Sequence, residues 1–303
     1  LQGSASYPLD KVKSFRMHFG GRQDRMIVKA KDPIGLLLPN TQQYYAMSRA
    51  EFVYDDTRNP ALNIWNGLRY KIFAEYMYKL YSNNVYGSSV DTNMSNKKGG
   101  FYNLGMDFRY YHKIYKNFIA AVRVAGAHSG GNQKILYFVG GVDNDVNPKF
   151  SNGLQPSGKN DYAFQALATN LRGYDQNSRN GNTYALINAE LRFPVLSTLM
   201  RRPIQSSILK NLQVVAFCDV GSAWEGLLPT SENFDRYYRV NWPSTNPNNP
   251  IVRVSVPNYG DNGIAIGYGA GVRTMLFGYF ARFDAALNIR REFSWYLSLG
   301  TDF

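Results

Sequence analysis

Phe293-Ser294-Trp295-Tyr296-Leu297-Ser298-Leu299-Gly300-Thr301-Asp302-Phe303 is the stretch on which the fold turns. Side chains of an extended chain alternate between two faces. Phe293, Trp295, Leu297, Leu299, Thr301 and Phe303 therefore share one face, and Ser294, Tyr296, Ser298, Gly300 and Asp302 share the other. Alternation with large rings outside and a terminal aromatic describes the last strand of a transmembrane β-barrel, whose outer surface meets lipid. A soluble edge strand alternates too, but rarely puts three large rings on the face turned away from a core.

The same period runs upstream. Ile264, Ile266, Tyr268, Ala270 and Val272 alternate with Ala265, Gly267, Gly269, Gly271 and Arg273. Alternation recurs over 279–287, 212–220, 183–193, 118–124, 104–110, 68–80 and 50–54, with weaker strands at 11–19 and 26–30 around a turn at Gly20-Gly21-Arg22. The faces opposite the apolar rows carry Arg69, Lys71, Glu75, Lys79, Asp107, Arg109 and Arg123. So many charges in the dry core of a β-sandwich would be prohibitive, whereas a wet lumen tolerates them. The sequence thus predicts an all-β, antiparallel up-and-down transmembrane barrel.

Composition agrees. The chain has 303 residues, 44% of them apolar, with 23 Tyr against 18 Phe and 4 Trp. Tyr suits the level where lipid meets water. Mean hydropathy is −0.37, as expected where lumen-facing and lipid-facing residues alternate. No run approaches the roughly 18 apolar residues of a membrane helix. One cysteine, Cys218, excludes an intrachain disulfide framework and a Cys-rich metal site. The net charge of +12 lacks the like-charge blocks or basic helix of a nucleic-acid binder and is assigned to the lumen or to anionic headgroups.

Loop lengths fit the barrel. With the C-terminus in the periplasm, the stretches 227–262, 127–182 and 82–100 fall outside, and the turns at 276–278 and 115–117 fall inside, the usual asymmetry. The inner connection 195–211 is long for its side. About eleven strands are expected in all; barrels of this kind have an even number, so an odd number of N-terminal strands is expected to precede Leu1. An exported protein also needs a signal peptide, expected upstream of Leu1.

Four segments carry a family resemblance. Leu171-Arg172-Gly173-Tyr174, Phe138-Val139-Gly140-Gly141, Glu190-Leu191-Arg192-Phe193-Pro194 and Phe217-Cys218-Asp219-Val220-Gly221, in their order along the chain, resemble the BamA-type and two-partner-secretion transporter barrels, also called bacterial surface antigen proteins. The resemblance runs from about Tyr54 to Phe303. It implies a barrel of about sixteen strands, with the segment 127–182 folded inward. It also implies about five N-terminal strands and a periplasmic region outside residues 1–303. Ala5-Ser6-Tyr7-Pro8-Leu9, Val53-Tyr54-Asp55-Asp56-Thr57, Leu62-Asn63-Ile64 and Gly67 are similar to barrels of Bacteroidota, some of which carry a propeller-like periplasmic region in place of POTRA repeats.

From the residues themselves, Asp219 lies on the face opposite the apolar row, pointing into the lumen, where a guanidinium on an inward loop can grip it with two hydrogen bonds. Gly173 permits the tight turn that presents Arg172. Arg172, Gly173, Tyr174, Asp219 and Gly221 are thus expected to form either a latch across the lumen or a purely structural plug support, with Glu190, Arg273 and Asp284 joining a wider network. The resemblance makes the last strand, with Trp295, Leu297, Leu299 and Phe303, one side of a seam where client strands are templated.

His18, His112 and His128 have no nearby carboxylate or serine in sequence and are expected at strand ends or in loops, so no catalytic residue is assigned. The Asn246-Pro247-Asn248-Asn249 cluster reads as loop chemistry and lacks the acidic spacing of a calcium site. The resulting expectation is a non-enzymatic outer-membrane insertase or translocon. It would need no cofactor or metal and would meet outer-membrane lipid and lipopolysaccharide, client outer-membrane or secreted proteins, and periplasmic or lipoprotein subunits. A passive pore or anchor barrel within a larger complex and a dedicated secretion transporter are the alternatives.

Overall fold

The computed structural model describes residues 2–27, 40–58, 66–86, 89–91, 98–115, 118–151, 154, 156, 161–199, 206–229, 237–243, 251–257, 263–276 and 279–300. In chain order the elements are β1 (Gln2–Pro8), β2 (Lys13–Met26), β3 (Asn40–Asp55), β4 (Gly67–Tyr86), β5 (Ser89–Asp91), β6 (Gly99–Tyr115), β7 (Phe118–Gly131), β8 (Lys134–Val139), β9 (Tyr162–Ala168), β10 (Arg179–Gly181), β11 (Thr183–Phe193), α1 (Val195–Leu199), α2 (Ser207–Lys210), β12 (Gln213–Trp224), β13 (Tyr237–Pro243), β14 (Ile251–Pro257), β15 (Ala265–Leu276), β16 (Tyr279–Asn288) and β17 (Phe293–Gly300).

A 12-stranded sheet holds most of the molecule in the order β1-β2-β3-β4-β6-β7-β11-β12-β15-β16-β17, with β5 paired to β4. Every pairing in it is antiparallel and follows the chain, the meander of an outer-membrane-type barrel. The strands are long: β3 has 16 residues, β4 has 20 and β6 has 17. A bilayer needs only about 9–11 per strand, so the sheet stands proud of the thickness it would cross.

The two faces of this sheet reverse the rule for water-soluble proteins. Ile72, Leu104, Met106, Ile187, Leu191, Phe283, Trp295 and Leu299 are exposed, while Glu75, Lys79, Arg123, Glu190, Arg192, Asp219, Arg273, Arg282 and Asp284 are buried. In water the apolar face would cost roughly 25 cal/mol for each Å² left uncovered. Against lipid it costs nothing, which is why the alternation persists strand after strand.

The inner face is filled by the chain between β7 and β11. There β10, β8 and β9 form a 3-stranded sheet, with β8 and β9 parallel. Ile135 and Tyr137 of β8 pack with Tyr45, Met77, Phe101 and Ala127 of the wall. Val139, Ala168 and Leu171 pack with Leu186, Ala223 and Ala265. The only sizeable apolar clusters among the described residues thus lie between wall and inward segment.

Several sequence expectations change. No turn interrupts Gly20-Gly21-Arg22: β2 runs through it and pairs with β3 from Lys13↔Tyr54 to Met26↔Thr41. Paired glycines break a strand only when no neighbour supplies the ladder, and here β3 does. Of the strand expected at 26–30, Met26 ends β2, Ile27 lies in no strand, and residues 28–30 lie outside the described residues. The first strand is instead β1, which Pro8 at its end helped to hide. The expected loop 127–182 contains three strands, and 227–262 contains the hairpin of β13 and β14. Helices α1 and α2 account for the length of the connection 195–211. His112 and His128 lie near the ends of β6 and β7, whereas His18 sits well inside β2, with its Nε2 3.8 Å from Glu51 Oε2. Thr301, Asp302 and Phe303 lie outside the described residues, as do Leu62, Asn63, Ile64 and residues 246–249.

Candidate functional site

The site is built where β11, β12, β15 and β16 turn their polar faces toward one turn of the inward segment. Register sets the donors and acceptors in adjacent rows. Asn188 pairs with Asp219, Asp219 with Gly267, and Gly271 with Asp284. Leu171 anchors the turn, bonding its N to the carbonyl of Gly141 at 2.9 Å, so the second glycine of Gly140-Gly141 holds the tip's base.

Arg172 enters this cage fully. Its Nε donates to Asp219 Oδ2 at 2.7 Å, its Nη2 to Asp219 Oδ1 at 2.8 Å, and its backbone N to Asp219 Oδ2 at 3.0 Å. Two parallel bonds from a planar fork fix direction as well as distance. Nη1 reaches Glu190 Oε1 at 2.8 Å and Asp284 Oδ2 at 3.4 Å. The guanidinium also lies 3.6 Å from the centre of the Phe217 ring, a cation–π contact strengthened by the loss of water. The side chains of Arg172, Asp219 and Glu190 are 2%, 0% and 0% exposed. Ions so dry hold together only with near-complete pairing.

Pairing extends outward from Glu190. Arg273 Nη2 donates to Glu190 Oε1 at 2.6 Å, and Arg192 Nη2 lies 2.9 Å from Glu190 Oε2. Arg172, Arg192 and Arg273 are thus set against Glu190, Asp219 and Asp284, with the further buried cation Arg282 beside Arg273 in register. All five sequence-expected charged residues come together here. Gly221 lies beside the tip, where an added Cβ would press on Leu186 and approach Leu171.

Gly173 has φ +91°, a conformation that disfavours any side chain. An added Cβ there would also stand 3.0 Å from the Leu287 carbonyl oxygen. Tyr174 closes the tip: its hydroxyl donates to the carbonyl of Ile266 at 3.3 Å and accepts from the Ile266 N at 3.2 Å.

Some contacts were invisible in the sequence pattern. Tyr296 of β17 accepts from the Gly173 N at 2.9 Å and donates to the Tyr174 carbonyl at 3.0 Å. Asn188 donates to both Asp219 Oδ1 at 2.8 Å and the Asn170 carbonyl at 2.7 Å. Arg123 bonds the Thr169 carbonyl at 2.6 Å while pairing with Asp107 at 3.0 Å. Alternation places these residues inward but does not say which backbone they meet. Of the row Gly267, Gly269, Gly271, the first makes room for the tip, since a Cβ on Gly267 would collide with the Arg172 carbonyl, while one on Gly269 or Gly271 would meet β16. Among the described residues no cluster of His, Cys, Asp and Glu is placed to hold a metal ion.

Tyr296→Phe removes both bonds between β17 and the tip. It is expected to leave the sheet folded and to weaken docking of the tip by about 1–3 kcal/mol, the cost of stranded buried partners. Proteolysis of the segment 140–180 in the folded protein reads this as faster cleavage; an unchanged rate counts against the contact.

The crystal structure of BamA from Haemophilus ducreyi lacking POTRA domains 1-3 has a TM-score of 0.54 to this chain at 13% identity, covering 98% of this chain and 52% of that one. The likeness is one of fold, and the chain spans about half the length of that protein. No curated protein matches the sequence. The model of the Omp85 superfamily domain matches residues 49–303, and with most of its length in that match the chain belongs to the Omp85 superfamily.

Proposed function

We propose that residues 1–303 form the C-terminal part of an outer-membrane barrel that assists assembly or export of proteins at the outer membrane, with the Arg172 tip as its internal latch. The observation that carries this reading is the docked tip. A segment that fills the inner face through three apolar clusters and a dry ion cage leaves little room for free diffusion, which favours a gated machine over an open pore. Membership of the Omp85 superfamily supports the same reading. The client strand would be received at β17, the strand at one end of the sheet order, because an edge presents unpaired N–H and C=O groups that template a further strand. Partners on this reading are unfolded outer-membrane or secreted chains, outer-membrane lipid and lipopolysaccharide, and periplasmic or lipoprotein subunits; the chemistry uses backbone pairing and no cofactor.

The test is reconstitution of the full-length protein in lipid vesicles with the urea-unfolded chain of a small outer-membrane barrel. Folding of that chain is expected to be faster than with vesicles alone, and the protein's single-channel conductance in planar bilayers is expected to be small. A large, stable open conductance without faster folding would replace this reading with that of a passive pore. Export of a single secreted partner without any effect on barrel folding would replace it with a dedicated transporter.

A further inference from the structure

β17 is paired on one side only by strands of the sheet. Its register with β16 runs through eight residues, from Phe280↔Gly300 to Leu287↔Phe293. Its other edge is not bare. Asp145 of the inward segment forms an antiparallel bridge with Ser298. The Val146 N donates to the Leu297 carbonyl at 2.7 Å, and the Leu299 N donates to the Asn144 carbonyl at 3.4 Å. We propose that Asn144–Val146 is a built-in placeholder on the β17 edge, which must be displaced before another strand can pair there. This rests on the reading of β17 as the client-receiving strand.

The sequence limits the placeholder to a stub at both ends. Asn144 has φ +53°, outside the extended region, so the strand cannot continue toward Asp143. Pro148, two residues past Val146, has no N–H to give a ladder. Val146 is 58% exposed and gains little by staying. Among the described residues three therefore pair with an edge that a full strand would hold along its length, and zipping in from beyond them would peel the stub away.

The stub is also wired to the latch. Its neighbour Asp143 donates its N to Asn170 Oδ1 at 3.2 Å, two residues before Arg172. The Asp143 carbonyl accepts from Arg282 Nη2 at 3.4 Å, and Arg282 Nε bonds Ser298 Oγ at 3.0 Å. Val142 packs with Ala286, with Phe217, whose ring also meets Arg172, and with Tyr296, whose hydroxyl bonds the tip backbone. Undocking of the tip would loosen the stub, so the same segment that fills the inner face would control access to the edge.

The test uses the full-length protein with Cys218→Ser as parent, removing the native thiol, and adds Asp145→Cys with Ser298→Cys. The bonds flank the bridge, which makes 145 and 298 a non-hydrogen-bonded pair with Cα atoms about 4.5 Å apart, inside the range of about 4.4–6.8 Å that a disulfide spans. In resting, folded protein the disulfide is expected to form in most molecules. Oxidised protein is expected to lose acceleration of barrel folding in vesicles and to regain it with dithiothreitol. Failure of the disulfide to form, or equal acceleration by oxidised and reduced protein, overturns the proposal. The parent judges the functional reading separately: if it gives no acceleration that reading fails, and the disulfide yield alone decides the placeholder. Val146→Pro, at an exposed site, removes one donor of the stub and is expected to speed acceptance of the client chain about fivefold, the worth of one net hydrogen bond. An unchanged rate would overturn the proposal without relying on the cysteine pair.

Discussion

Glu190→Ala is expected to be the most destabilising single substitution in the inner cage. Glu190 lies at the meeting point of three guanidiniums: Arg172 Nη1 at 2.8 Å, Arg273 Nη2 at 2.6 Å and Arg192 Nη2 at 2.9 Å. Its side chain is 0% exposed, and those of Arg172, Arg192 and Arg273 are 2%, 0% and 1% exposed. Removing it leaves three buried cations facing Asp219 and Asp284, and stranding a buried charge costs roughly 3–5 kcal/mol. Glu190→Gln keeps the shape and one acceptor oxygen, so its cost is expected to be smaller, about 1–3 kcal/mol. A second substitution separates charge from packing. Adding Arg273→Met to Glu190→Ala removes the excess cation and should recover a large part of the loss, since a buried ion pair exchanged for apolar groups is often neutral. Urea unfolding of the protein in vesicles, followed by heat-modifiable gel mobility, measures all three. A Glu190→Ala protein within about 0.5 kcal/mol of the parent, the range of an ordinary surface change, would show that water rather than arginine satisfies this carboxylate.

How much of this was legible beforehand depends on which physical signal each feature leaves. The period-two rows at 183–193, 264–273 and 279–287 left a strong one, and β11, β15 and β16 cover those stretches nearly residue for residue. Where the signal is a break in the pattern rather than the pattern itself, reading failed. Gly20-Gly21 looked like a turn because glycine weakens strands, yet β2 crosses it on the strength of fourteen register pairs with β3. The strands of the inward segment were missed for another reason. β8, with its run Ile135 to Val139 buried throughout, has no polar face to alternate with, and a short apolar run does not declare its secondary structure.

The cage shows the same division. Asp219, Glu190, Arg273 and Asp284 could be placed on the inner face because each faces opposite an apolar row. Arg172 lies in no alternating row and was legible through the resemblance of Leu171-Arg172-Gly173-Tyr174 to a family's inward loop tip. Tyr296 was seen as an inward residue, but its role as joint donor and acceptor for the tip depends on how the inward segment lies in three dimensions, and no periodicity encodes that.

Latch and support both require the contact of Arg172 with Asp219, and its disruption is expected to have the second large effect. Arg172→Ala strands Asp219 and Asp284 while Glu190 keeps Arg192 and Arg273; Asp219→Ala removes three acceptor contacts from Arg172 and one from Asn188. Each is expected to weaken docking of the tip by roughly 3–5 kcal/mol. Arg172→Ala leaves Asp219 without a cation, and Asp219→Ala leaves Arg172 only Glu190 and Asp284, so the double substitution should cost clearly less than the sum, with a coupling of about 1.5–3 kcal/mol. Arg172→Lys is expected to recover little, since an ammonium cannot supply the fork that grips both Asp219 oxygens. Docking is read by proteolysis of the segment 140–180, and the folded sheet by heat-modifiable mobility, so loss of the tip is distinguished from loss of the barrel. The client assay then decides the role. If the tip is a latch, Arg172→Ala keeps its sheet but loses most of its acceleration of barrel folding, and the loss tracks the fraction of molecules with an undocked tip. If the tip only supports the wall, client folding stays at the parental rate even when proteolysis shows it free. Leu171 already holds the tip to Leu186, Ala223 and Ala265 by apolar contact, and on the latch reading the six charges drawn from the tip and four strands would add a joint that holds in one geometry.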